Sequence, residues 1–132
     1  MISKTSLWTV KALLALSHLP AGEAEGVNHI AQKIKAPRNY LGKVLQRLVK
    51  EGIVASRKGL KGGFRLLRTP DTIKLFDIVN ALEDIDHWDG CLMGNGSCSA
   101  TAPCCAHDRW TTVRRAYQDF LKNTTIADLD SG

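Results

Sequence analysis

The apolar pattern of this chain changes period at Gly52, and that change limits what it can fold into. Ahead of it, Tyr40, Leu41, Val44, Leu45, Leu48 and Val49 recur on one helical face. Arg38, Asn39, Lys43, Arg47 and Lys50 are left on a polar, basic face. Beyond it, residues 53–57 and 64–68 read as two short strands around Lys58-Gly59-Leu60-Lys61-Gly62-Gly63. A shorter helix over 27–35, with Ile30, Ala31 and Ile34 inward, comes first, and Ala36-Pro37-Arg38 makes the turn between the two helices. Two helices across a short turn form a helix-turn-helix, whose second helix fits a major groove. The hairpin with its mobile basic tip adds a wing.

Helices also fit on either side. Residues 4–19 place Leu7, Val10, Leu13, Leu14 and Ala15 on a buried first helix, ended by Pro20-Ala21-Gly22. A fourth helix fits 75–85. From Asp108 to about Asn123, Trp110, Val113, Tyr117, Phe120 and Leu121 advance by three or four, a narrow seam suited to pairing with a second copy. The last four residues read as a loose tail. The expected fold is mainly α with a small β-hairpin wing. A winged helix-turn-helix domain fills 1–86, a cysteine-rich loop 87–107, and a long dimerisation helix with its tail 108–132.

The net charge of +5 hides an asymmetry. Residues 1–68 hold thirteen Lys and Arg against three acids, and residues 69–132 hold five against ten. Eleven of the cations lie between Lys33 and Arg68, opposed only by Glu51. Such concentration favours a polyanion partner, most simply nucleic acid.

All four cysteines, Cys91, Cys98, Cys104 and Cys105, fall in one Gly/Ser/Pro-rich window, with His107 just after. Thiolates gathered on a flexible backbone suit an iron–sulfur cluster or zinc. A zinc staple would draw on Cys98, Cys104, His107 and either Cys91 or Cys105. The Cys104-Cys105 pair lacks the C-x-x-C spacing of thiol-redox enzymes, and no Ser/His/Asp or paired-carboxylate set points to other catalysis. The glycines near Lys61 lack the phosphate-loop pattern. No apolar run reaches membrane-spanning length, and the start lacks the layout of a secretion signal, so a cytoplasmic protein is expected.

Several motifs in this order resemble one family. They are Tyr40-Leu41, Leu45-Gln46-Arg47-Leu48, Gly59 to Leu66, Cys98-x5-Cys104-x2-His107-x2-Trp110 and Thr125 to Leu129. The chain resembles the winged-helix transcription regulators that include IscR, NsrR and RirA. The resemblance implies a homodimer on a roughly palindromic operator in double-stranded DNA, acting as a repressor. It implies base or phosphate contacts from Arg38, Asn39, Tyr40 and Lys43, and backbone or minor-groove contacts from Arg57, Lys58 and Lys61. Family wings usually carry an arginine where Lys58 stands; a lysine offers a point charge rather than a fork. The resemblance also implies an iron–sulfur cluster held by Cys91, Cys98 and Cys104, sensing iron, redox state or nitric oxide. His107 is the expected fourth ligand; Cys105, an exogenous thiol or water are the alternatives. NsrR-like members take an acidic ligand from the first helix of the partner subunit, but Trp8 stands at that position, and residues 1–19 contain no Asp or Glu.

Overall fold

The structure, a computed structural model, describes residues 2–83 and 107–130. Helix α1 (Lys4–Leu16) starts at Ser3, whose hydroxyl accepts from the Ser6 N–H at 3.1 Å. Its inner face is more polar than its pattern implied. Ser6 and Thr9 are buried beside Val10, Ala12, Leu13 and Leu16, whereas Leu7 is exposed. The Thr9 hydroxyl avoids a desolvation cost by donating to the Thr5 carbonyl at 2.7 Å.

Helices α2 (Val27–Ile34) and α3 (Arg38–Lys50) form the helix-turn-helix. The pivot is Lys35, in a left-handed conformation at φ 57°, and Pro37 caps α3 from just outside it. Leu41, Val44, Leu45 and Leu48 bury the inner face of α3. Gly52, at φ 76°, turns the chain out of the helix as expected of a residue just past a C-cap.

Strands β1 (Val54–Arg57) and β2 (Gly63–Leu66) pair antiparallel, with Val54 opposite Leu66 and Arg57 opposite Gly63. Glu25 adds a further bridge, exchanging backbone hydrogen bonds with Phe64 at 2.9 and 2.8 Å. That approach requires glycine next door: a Cβ on Gly63 would lie 2.2 Å from the Glu25 carbonyl oxygen. The wing is thereby tied to the segment entering α2.

A 3-10 turn (Pro70–Thr72) leads into α4 (Leu75–Glu83), and α5 (His107–Asn123) is followed by the short α6 (Ile126–Leu129). The chain end is docked rather than loose as far as Asp130. Thr125 and Asp128 form a reciprocal capping box, Ile126 is fully buried, its N–H donates to the Ile73 carbonyl, and Asp130 meets His18 at 2.5 Å. One core joins α1, α3, α4, α5 and α6 through Leu13, Leu45, Leu48, Ile78, Leu121 and Ile126.

The expected seam on α5 divides. Leu121 is buried in the core and Tyr117 packs against it, while Val113 and Phe120 remain 47% and 52% exposed. No helix among the described residues is long and apolar enough to cross a membrane.

Candidate nucleic-acid interface

Burial of Leu41, Val44, Leu45 and Leu48 turns the opposite face of α3 outward, carrying Arg38, Asn39, Lys43 and Gln46. These four, with Gly42, Val27 and Phe64, line an open groove of about 640 Å³ between α3, the start of α2 and the wing. Arg38 and Lys43 bring cationic donors; Asn39 and Gln46 bring side-chain amides able to donate and accept. Gln46 was not among the residues picked from sequence. Its signal was there, in the helical spacing from Asn39 and Lys43.

Tyr40 is placed differently from its expected inner face. Its ring is 54% exposed and lies outside the groove, edge-on to Trp8 of α1 with 6.5 Å between centroids. Arg47 faces another cleft, with Glu51, Arg68 and Asp77.

On the wing, Lys58 and Lys61 flank Leu60, which is fully exposed at the tip. Arg57 is partly committed within the chain, since its guanidinium donates to the Gly22 carbonyl at 2.8 Å. Arg57 and Lys61 line a second cleft, of about 440 Å³, with Glu25 and His29. Glu25 is only 5% exposed, and its carboxylate meets Lys33 Nζ at 2.9 Å and His29 Nδ1 at 3.0 Å. Sequence alone gave no sign that an acid just ahead of the basic segment would be buried against it. The chain reversal that places Glu25 against Phe64 is what encloses it.

The Ser3 and Ser6 hydroxyls both donate to Glu83, the Ser3 bond being 3.1 Å long. Burial, and secondarily the Glu83 carboxylate, push the Tyr117 hydroxyl above the ordinary value of 10.0. Glu83 is the last described residue before the cysteine segment, and His107, the first after it, opens α5. Cys91, Cys98, Cys104 and Cys105 lie outside the described residues. Among the described residues, no group of three or more His, Cys, Asp or Glu side chains could hold a metal ion.

The model of the Rrf2 family, described as iron-dependent transcriptional regulators, matches residues 2–131. The chain belongs to the Rrf2 family. An Aquifex aeolicus protein, provisionally described as an HTH-type transcriptional regulator, is 40% identical over 122 residues, 89% of this chain and 85% of that one. The structure of CymR, the global cysteine regulator of B. subtilis, superposes with a TM-score of 0.81 at 24% identity, covering 99% of this chain and 96% of that one. IscR of T. potens superposes at 0.76 with 26% identity, covering 98% and 85%. This Rrf2 chain thus has the expected winged-helix architecture, and its relatives' role as transcriptional regulators implies that it binds DNA.

Proposed function

We propose that this Rrf2 protein is a homodimeric repressor that reads a palindromic operator and responds to iron, redox state or nitric oxide through an iron–sulfur cluster. The observation that carries the DNA half is the groove lined by Arg38, Asn39, Lys43 and Gln46, with Lys58 and Lys61 displayed on the wing beside it. The groove side chains supply base-edge and phosphate contacts, and the wing lysines supply phosphate contacts to the same duplex. Tyr40, packed on Trp8, borders this surface. Exposed Val113 and Phe120 on α5 are the apolar positions through which a second copy would pair.

The sensing half rests on donor chemistry. Three thiols from Cys91, Cys98 and Cys104 and the imidazole of His107 form a soft, nitrogen-containing set that suits an iron–sulfur cluster. Bound there, the cluster supplies a centre whose integrity depends on oxygen, nitric oxide and iron supply. The described residues offer a route from that segment to the DNA face. Ser3 and Ser6 hold Glu83, at the head of the segment, against α1, and Trp8 of the same helix touches Tyr40 at the start of α3. A change at the cysteine segment that displaces α1 would reach α3 by direct contact.

The test is anaerobic purification, with iron, acid-labile sulfide and zinc measured on one sample, followed by duplex binding with and without prior removal of metal. Iron and sulfide in near-equal amounts, with DNA affinity that changes on their removal, support the proposal. Zinc, or DNA binding indifferent to metal removal, overturns the sensing half and leaves a winged-helix regulator whose cysteines serve structure or thiol chemistry.

A further inference from the structure

A glycine inside a helix costs about 1 kcal/mol relative to alanine, so it needs a reason. The wing glycines have internal ones. A Cβ on Gly62 would lie 2.2 Å from the Arg57 carbonyl oxygen, and Gly63 has both a positive φ and the Glu25 carbonyl against it. Gly42 has none of these. It sits within α3 and is not among the glycines at positive φ. The nearest atom a Cβ would meet is Val27 Cγ2, at 3.8 Å, an ordinary contact. The fold would accept alanine there and gain helix stability.

What Gly42 borders is the groove. Asn39, Gly42 and Gln46 follow at spacings of three and four, on one helical face, between the cations of Arg38 and Lys43. Removing a side chain at the centre of such a face lets an outside group come against the helix backbone. The neighbouring amides and cations define that group as one rich in hydrogen-bond acceptors and donors and in negative charge.

We propose that Gly42 is where α3 makes its closest approach to a base-pair edge of duplex DNA, and that its missing side chain is a specificity determinant. The inference rests on the DNA-binding reading above. It adds a position at which absence of atoms, rather than a contact, selects sequence. A Cβ in that place holds the helix off the groove floor, weakening contacts from Asn39 and Gln46 together.

The experiment selects from a pool of random-sequence duplexes with the full-length protein, purified anaerobically, and repeats the selection with Gly42→Ala. Both proteins are then titrated with the duplex that the native protein selects, and melted. The expected result is a Tm unchanged or raised, affinity for that duplex lowered about tenfold or more, and a changed consensus under α3. Affinity within about twofold and an unchanged consensus would overturn the proposal. A lowered Tm would overturn it as well, because the fold would then need the glycine. Lys43→Ala separates this from the underlying reading. If Lys43→Ala weakens binding and Gly42→Ala does not, the specificity proposal alone falls. If native protein selects no sequence and shows no salt-dependent duplex binding, both fall.

Discussion

Trp8 of α1 meets Tyr40 of α3 edge to face, with 6.5 Å between ring centroids and 72° between their planes. The pair joins the N-terminal helix to the first turn of the helix that carries the groove residues. Tyr40, a tyrosine on an otherwise apolar periodicity, stands 54% exposed, with Trp8 as its ring partner and the rest of its surface open to water.

Trp8→Ala should therefore weaken DNA binding without unfolding the protein. Edge-to-face aromatic pairs contribute about 0.5–1.5 kcal/mol beyond the area they bury. A drop of a few degrees in Tm together with reduced duplex affinity is expected, and Trp8→Phe should restore most of both. Calorimetric melting and fluorescence anisotropy check this. Unchanged affinity in Trp8→Ala would separate Tyr40 placement from DNA recognition.

Lys43 and Lys58 should differ in kind. Lys58, at the wing tip, is expected to contact phosphate, so Lys58→Ala should weaken binding to all sequences and reduce the salt slope of log K by roughly one. Lys43 lies in the groove with Asn39 and Gln46. Lys43→Ala should lower affinity and also relax preference at one base position. Titrations across salt concentrations on matched and substituted duplexes give both answers.

Gly63→Ala is expected to be severe, in contrast to Gly42→Ala. The added Cβ meets backbone rather than a movable side chain, and φ is already positive at 140°. Strain of this kind costs on the order of 1–3 kcal/mol. Detachment of Glu25 from Phe64 should loosen the wing, visible as faster hydrogen exchange at both backbone N–H groups.

High pH gives a test of the contact region near Glu83. The folded-state pKa of Tyr117 is raised by burial first and by the Glu83 carboxylate second. Above 10.0 the unfolded chain loses this proton while the folded one keeps it. Stability should fall as pH climbs past that value, and the loss should level off above the folded-state pKa. Glu83→Gln should bring the tyrosinate absorbance transition back toward lower pH.

The helix-turn-helix and wing were legible because their signals are local. An apolar face at helical period, a glycine just past a helix end and a glycine-rich tip between short strands each follow from neighbouring residues. Cation clustering between Lys33 and Arg68 is legible for the same reason. Lys35 escaped because nothing about a lysine announces the left-handed backbone it adopts between α2 and α3. The division of α5, with Leu121 inward and Val113 and Phe120 outward, needed the position of α4 and α6, since one periodicity serves either partner. Burial of Glu25 and the docking of 124–130 against Ile73 and His18 join residues far apart in sequence. Sequence determined which segments form helix and hairpin and where the positive charge lies. Only the tertiary structure decided which polar groups are enclosed and which side chains share a groove, because burial depends on the neighbours that distant segments bring.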